Sequence, residues 1–225
     1  MSPRLTAALA PASGGRRRIG LLGGSFNPAH DGHRHVSLMA LKRLGLDEVW
    51  WLVTPQNPMK PARGMASFEA RLEAARAAAG NARIRISDIE RRLGTRYTAD
   101  TLRALAARRP RGGFVWLMGA DNLAQIERWR DWETIFRLVP IAVFDRPTYS
   151  YRALAGKAAR RYARHRLGPR RARALAGLAP PAWVFLRGPL HPASATEIRQ
   201  RRGGRRCHES TMQLQGAAHI ARSCT

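Results

Sequence analysis

Short apolar segments rich in β-branched and aromatic residues alternate along this chain with segments of helical periodicity. Strands are predicted at residues 18–22, 48–54, 83–87, 114–118, 139–144 and 183–186. Helices, in which apolar residues recur every three or four positions, are predicted at residues 33–44, after Ser67, and at 98–108, 132–138 and 196–201. The repeating unit of a parallel sheet is a strand, a crossover helix and a further strand. The order therefore predicts an α/β fold with a doubly wound parallel sheet and helices on both faces.

The two ends of the chain differ in composition from the rest. Residues 1–15 are rich in alanine and contain no acidic residue, and their apolar part, LTAALA, is too short for a secretory signal. Residues 203–225 have no clear periodicity. At 225 residues the chain can bury the core of one domain. We therefore expect a disordered tail over 1–15, one folded domain over 16–202 and an unstructured tail over 203–225.

The chain is strongly basic, with 40 Lys and Arg against 15 Asp and Glu, a formal charge of +25. Such an excess indicates either a polyanionic partner, such as nucleic acid or an anionic membrane, or a compositional bias. The second interpretation is favoured because the Ala- and Arg-rich texture extends along the whole chain. Residues 152–173, with eight arginines and one lysine, are predicted to be helical because Leu154, Ala158 and Tyr162 are spaced by four. Their basic face either is solvated or faces an anion.

Two features that the sequence lacks bear on the cellular compartment of the protein. No apolar run approaches the ~18 residues of a membrane span. The two cysteines, Cys207 and Cys224, form neither a CxxC pair nor a disulfide framework. These features predict a cytoplasmic protein.

The stretch GGSFNPAHDGH, residues 23–33, follows the first predicted strand directly. A glycine-rich turn before a helix lets backbone N–H groups approach phosphate oxygens, and the helix N-terminus adds a partial positive charge. The stretch is neither GxGxxG nor a P-loop. His30 and His33, three residues apart on a first helical turn, project to one side, where they can donate to a phosphate. The alternatives are a zinc site that includes His35 and two ordinary surface histidines.

This stretch resembles the HxGH motif of the nucleotidyltransferase superfamily, in the form found in bacterial nicotinate-mononucleotide adenylyltransferases. Four further segments resemble that family's motifs in the same order: TPQNPMKP (54–61), RYTADTL (96–102), LMGADNL (117–123) and SATEIR (194–199). Trp129 follows Asp121 at the family's spacing. The resemblance covers about residues 16–200 and implies a Rossmann-like nucleotidyltransferase domain. The chain departs from the family at Arg130, where relatives often carry an aromatic residue or histidine. No residue is therefore assigned to the second wall of the pyridine pocket.

The resemblance implies that the chain joins ATP and nicotinate mononucleotide into the deamido dinucleotide, nicotinic acid adenine dinucleotide, and releases pyrophosphate in NAD biosynthesis. The mononucleotide phosphate is the nucleophile and is already anionic at neutral pH, so no general base is needed. Mg²⁺ is expected on the ATP phosphates rather than in a cage of protein ligands. The partners implied are these two small molecules, without nucleic acid or membrane.

The resemblance also implies roles for particular residues. The catalytic residues are His30, His33 and Arg199. ATP contacts are assigned to Gly24, Ser25, Phe26, Gly119, Asp121, Ser194, Thr196 and Arg199. Mononucleotide contacts are assigned to Ser25, Phe26, Lys60, Tyr97, Thr98 and Trp129, with Trp129 stacked on the pyridine ring.

Some of these residues also have simpler interpretations. Phe26 could instead pack in the core, Ser194 and Thr196 could simply cap a helix, Asp121 could be a turn aspartate and Lys60 could be solvated. The nearest alternative function is a related transferase for nicotinamide mononucleotide, phosphopantetheine or a CTP-linked substrate. A basic nucleic-acid-binding module is a second alternative, for which the sequence lacks interleaved aromatic residues.

Overall fold

A computed structural model describes residues 17–55, 64–108, 113–146 and 148–188. Its strands are β1 (Arg18–Gly24), β2 (Glu48–Val53), β3 (Ile84–Ser87), β4 (Gly113–Gly119), β5 (Ile141–Phe144), β6 (Arg166–Leu167) and β7 (Trp183–Leu186). They form one sheet of order β3-β2-β1-β4-β5-β7-β6 in which every pair is parallel. The predicted Rossmann-like doubly wound sheet is thereby confirmed.

Helices connect these strands. They are α1 (Asp31–Arg43), α2 (Phe68–Ala79), α3 (Ile89–Leu93), α4 (Thr98–Arg108), α5 (Ala120–Leu123), α6 (Trp132–Leu138), α7 (Ser150–Ala155) and α8 (Lys157–Arg161), with 3₁₀ turns at Ile126–Arg128, Ala163–His165 and Pro169–Gly177. Ser67 caps α2 as predicted, since its side chain accepts from the Ala70 amide at 3.2 Å. The short helices α3 and α5 were not predicted, because neither is long enough to show a period.

The core lies in two layers, one on each face of the sheet. One layer packs side chains of α4 and α6 against Leu21, Trp116 and Val143. The other packs side chains of α1, α2 and the Pro169–Gly177 turn against Leu22, Val115 and Ala142. Successive residues of each strand point to opposite faces, which is why these strands are apolar throughout rather than alternating.

The basic segment 152–173 is not the continuous helix that its spacing predicted. An extended Gly156, with φ of −67° and ψ of 161°, separates α7 from α8, and Arg166–Leu167 then pairs with β7. The spacing of four instead marks side chains that attach this segment to the core. Tyr162 is buried and stacks on Phe136 at 4.2 Å between ring centroids. The arginines between these anchors are mostly exposed.

Other predictions fall outside the described residues. These are the two tails, 1–15 and 203–225, and the last helical turn at 196–201. The division into one domain over 16–202 and two tails therefore stays a prediction. None of the described helices is long and apolar enough to cross a membrane.

Candidate active site

The carboxyl ends of β1 and β4 carry two of the predicted site residues, Gly24 and Gly119. Gly24 is paired with Val53 of β2, and Gly119 is paired with Phe144 of β5, which is paired in turn with Leu186. The sheet order reverses between β1 and β4, which are adjacent. In open α/β sheets, such a reversal opens a crevice at the carboxyl ends of the strands, where ligands bind.

His30 and His33 cap α1 reciprocally. The Nδ1 atom of His30 accepts from the Gly32 amide at 3.1 Å, and the Nδ1 atom of His33 accepts from the His30 amide at 3.3 Å. The ring centroids lie 3.9 Å apart. A neutral imidazole with an accepting Nδ1 carries its proton on Nε2. The caps therefore make both rings Nε2–H donors and hold them side by side at a helix N-terminus.

Phe26 forms the floor of the turn after β1. Its φ of 46° places it in the left-handed region, and its ring is 1% exposed. The ring stacks on Trp51 at 5.0 Å and lies 4.7 Å from the ring of His33. The Phe26 side chain thus packs in the core, as the alternative interpretation held. Only the Phe26 backbone is left for the predicted substrate contact.

Gly24 precedes this floor at the end of β1. A Cβ at Gly24 would lie 3.3 Å from the Phe26 ring. Because Gly24 has no side chain, the turn lies close to the Phe26 ring. Ser25, between the two, is buried.

Arg71 of α2 lies behind this turn and was not predicted. It is 2% exposed, and its guanidinium donates to four backbone carbonyls. Nη1 donates to Ser25 and Thr54 at 2.7 Å each, Nη2 donates to Pro55 at 2.7 Å, and Nε donates to Ala66 at 3.1 Å. Arg71 therefore connects the turn after β1 with the residues that follow β2.

Gly119 and Asp121 lie together where β4 passes into α5. A Cβ at Gly119 would collide with the Asp121 carboxylate, so the glycine makes room for that side chain. Oδ1 of Asp121 lies 3.4 Å from Nε of Arg146, two residues beyond β5. The carboxylate is thus held at the carboxyl edge of the sheet, and Arg146 is a cation in this region that the sequence interpretation missed.

Tyr97 and Thr98 begin α4, and two arginines join them to the segment around Trp129. The Arg130 guanidinium lies over the Tyr97 ring, 4.7 Å from its centroid. Arg103 donates to Asp100 at 2.7 Å and to Asp131 at 3.0 Å. The two segments assigned to the mononucleotide are therefore adjacent, and Asp100, the acid nearest in sequence to Thr98, is ion-paired.

Trp129 is half-buried and packs against the core layer of α4 and α6. Arg130, at the position next to it where relatives often carry an aromatic residue, instead forms the cation–π pair with Tyr97.

Glu90 of α3 is a buried acid beside these residues, 4% exposed. Its Oε1 accepts from the Thr101 hydroxyl at 3.3 Å, while Oε2 has no hydrogen-bond donor within the described part of the chain. Burial raises the pKa of Glu90 to about 7, against hydrogen bonds from Thr54 and Thr101 that lower it. Glu90 of α3 is thus joined to α4 through Thr101.

Four predicted site residues lie outside the described part of the chain: Lys60, Ser194, Thr196 and Arg199. The SATEIR segment follows β7, whose carboxyl end lies at the same edge as Phe144. Within the described residues no three His, Cys, Asp or Glu side chains are grouped to hold a metal ion. His30, His33 and His35 are not grouped in this way, and the roles of these histidines stay a prediction.

The sequence did contain signals for the missed residues. Arg71, Ala75 and Ala79, the buried residues of α2, are spaced by four, so the arginine occupies an inward position of an otherwise apolar face. Arg146 follows β5 on the edge where ligands bind in this architecture. Glu90 precedes the RYTADTL segment closely, but nothing in the pattern marks it as buried.

Comparison with known proteins shows the family of the chain. The cytidylyltransferase-like family model matches residues 21–201. A protein of Gluconacetobacter diazotrophicus named "Probable nicotinate-nucleotide adenylyltransferase" is 52% identical over 195 residues, 87% of this chain and 91% of that protein. A protein of the same name from a Bradyrhizobium species is 56% identical over 182 residues, 81% of this chain and 95% of that protein.

Solved structures agree on the fold. The structure of Plasmodium falciparum nicotinic acid mononucleotide adenylyltransferase complexed with NaAD matches with a TM-score of 0.62 and 16% identity, over 82% of this chain and 83% of that one. The same enzyme complexed with APC matches with a TM-score of 0.61 over the same shares. The family model and the relatives of more than 50% identity show the family. This chain belongs to the cytidylyltransferase-like family and, within it, to the bacterial nicotinate-nucleotide adenylyltransferases.

Proposed function

We propose that this protein transfers the adenylyl group of ATP to nicotinate mononucleotide, giving nicotinic acid adenine dinucleotide and pyrophosphate. An oxygen of the mononucleotide phosphate forms a bond to the α-phosphorus of ATP, and the bond from that phosphorus to the bridging oxygen of the β-phosphate breaks. The observation that carries the proposal is the capped pair His30 and His33, two Nε2–H donors side by side at the carboxyl edge of β1.

The chemistry needs charge stabilisation more than proton transfer. Negative charge grows on the phosphate oxygens around the α-phosphorus as pyrophosphate leaves, and fixed donors stabilise it without reorganising. We assign His30 and His33 to these oxygens. Arg199, Ser194 and Thr196 are proposed to hold the leaving pyrophosphate, because a guanidinium fork suits phosphate oxygens. Mg²⁺ is proposed to enter with ATP, held by its phosphates and water.

The two substrates are assigned to opposite halves of the edge. Asp121, beside Gly119 at the end of β4, is proposed to accept from the ATP ribose hydroxyls. Thr98 and nearby backbone N–H groups are proposed to bind the nicotinate carboxylate, with Trp129 on the pyridine ring and Lys60 near the phosphate. The proposed compartment is the cytoplasm, where the substrates of NAD biosynthesis are available.

The proposal is tested by pyrophosphate release with Mg²⁺ and ATP. The acid mononucleotide, the amide mononucleotide and phosphopantetheine are compared as acceptors. Donors arranged for a carboxylate are left unpaired by an amide, and a positive Arg130 stands beside Trp129. We therefore expect kcat/KM to be about 10–100-fold higher for the acid.

The outcomes separate the alternatives. Equal values for the acid and the amide would contradict the preference and leave adenylyl transfer standing. Turnover with phosphopantetheine alone would instead identify the related transferase.

A further inference from the structure

The buried guanidinium of Arg71 has no carboxylate within ion-pair distance in the described part of the chain. Its compensation comes from the four carbonyl oxygens of Ser25, Thr54, Pro55 and Ala66. Burial lowers its pKa, which is the direction expected when a cation leaves water. A buried cation is costly, and the other buried positions on this face of α2 are alanines. Packing alone therefore does not account for an arginine here.

The four carbonyls belong to separate segments. Ser25 lies in the turn between β1 and the paired histidines, Thr54 and Pro55 leave β2, and Ala66 precedes α2. The Thr54 amide also donates to the Gly24 carbonyl at 3.0 Å. A planar fork with several donors fixes the mutual orientation of these segments, which a single ammonium group cannot do with the same geometry.

These contacts lie on one half of the site. In the chain α2 stands between β2 and β3, and those strands lie on the opposite side of β1 from β4. Tyr97 and Thr98, assigned to the mononucleotide, lie at the start of α4, and α3 packs against both α4 and β2. Trp129, also assigned to the mononucleotide, follows β4 in sequence, but its neighbour Arg130 lies over the Tyr97 ring. Gly119 and Asp121, assigned to ATP, lie on the other side of β1, at the end of β4. Of the segments that Arg71 holds, those after β2 therefore border the mononucleotide half.

We propose that Arg71 is a positioning residue for the mononucleotide: it holds the exit of β2 against the turn after β1, and so sets the affinity for the acceptor rather than for ATP. The proposal rests on the proposed function. Its basis is that a shift of about 1 Å in a positioning segment can cost roughly 100-fold in rate.

The test compares Arg71→Lys, which keeps the charge and loses the fork, with Arg71→Met, which loses both. Arg76→Met on the same helix is the matched control, because Arg76 is exposed and pairs only with Glu73 among the described residues. KM is measured separately for nicotinate mononucleotide and for ATP. We expect Arg71→Lys to raise the mononucleotide KM at least ~10-fold and the ATP KM less than ~3-fold, with Arg76→Met near the parent values.

The ratio of the two KM values decides the question. A partly unfolded population lowers the apparent kcat and leaves KM unchanged, so Arg71→Lys remains informative even if Arg71→Met does not fold. An unchanged ratio in Arg71→Lys, in a parent that releases pyrophosphate, overturns the positioning role. A parent that releases no pyrophosphate from these substrates overturns the proposed function, and Arg71 would then lose its assigned ligand as well.

Discussion

At the scale of single residues, the histidine pair shows how one motif sets both a helix start and a side-chain tautomer. A helix start leaves amide donors without partners, and side chains usually supply the acceptors. Here the two imidazoles supply them, His30 to Gly32 and His33 to His30. Using Nδ1 for the cap determines the tautomer, so the same bond that starts α1 also places the proton on Nε2.

We expect His33→Ala to lower kcat at least ~100-fold, because it removes a donor to charge that grows in the transition state. Stability should change by no more than about 1 kcal/mol, the typical cost of a lost cap. The measurement is steady-state pyrophosphate release, with the melting temperature followed in parallel. His35→Ala, two residues further along α1, is the control and should retain parent turnover. Near-parent turnover in His33→Ala would contradict the phosphate role.

At the scale of elements, buried polar side chains join neighbouring elements below the site. Arg71 joins α2 to the exits of β1 and β2, while Glu90 joins α3 to α4 through Thr101. Hydrogen bonds in a dry interior are strong, and an unpaired polar atom there is costly. Hydrogen bonds, in addition to apolar packing, therefore fix how these elements are oriented.

Glu90 predicts a pH-dependent stability. Its pKa rises from 4.5 to about 7 on folding, so the folded state holds the proton more tightly than the unfolded state. The contribution of the neutral acid is complete below pH 4.5, decreases as pH rises to 7 and is lost above it. We expect the stability of Glu90→Gln relative to the parent to increase by roughly 2–3 kcal/mol between pH 5 and pH 8.

The measurement is urea unfolding of parent and variant at both pH values. The other titratable groups are common to both proteins and cancel in the difference. Glu73→Gln, at an exposed position of α2, serves as control and should show no such change. A pH-independent difference between Glu90→Gln and the parent would mean that the acid ionises normally in the fold.

At the scale of the whole molecule, the positive charge is distributed rather than concentrated in one element. Many acids of the described residues are already paired with arginine: Asp47, Glu48, Glu69, Glu73, Asp88, Asp100, Asp121, Asp131 and Glu133. The basic segment 152–173 is broken into short pieces around the buried Tyr162. This arrangement favours a compositional bias of the surface over a continuous basic face for a polyanion.

We predict that truncation after Arg202 leaves activity intact. The family match ends at residue 201, and no motif of the family falls beyond it. Both kcat and the two KM values of the 1–202 chain should lie within about twofold of the full chain, measured alongside the melting temperature. A truncated chain that loses activity or folds poorly would show that residues 203–225 belong to the domain.

The sequence by itself determined the order along the chain of β1 to β5 and β7 and of α1, α2, α4 and α6, and the position of the glycine turn. Alternating apolar strands and helices have few ways to bury both faces of a sheet, so local pattern was enough for the architecture. His30 and His33 were predicted from the turn between the first strand and helix, and Gly119 and Asp121 from the resemblance of LMGADNL to the family's motif; the roles of all four stay predictions.

Tertiary structure alone decided what lies beneath the site. Arg71 contacts residues 46 and 17 positions away in sequence, at Ser25 and Thr54, and no local period encodes such contacts. Whether Phe26 faced substrate or core, and whether residues 152–173 formed one helix, likewise depended on packing against Trp51 and on pairing with β7. Burial is a property of the assembled chain, and it places an arginine and a glutamate in the interior, where sequence alone would expect surface residues.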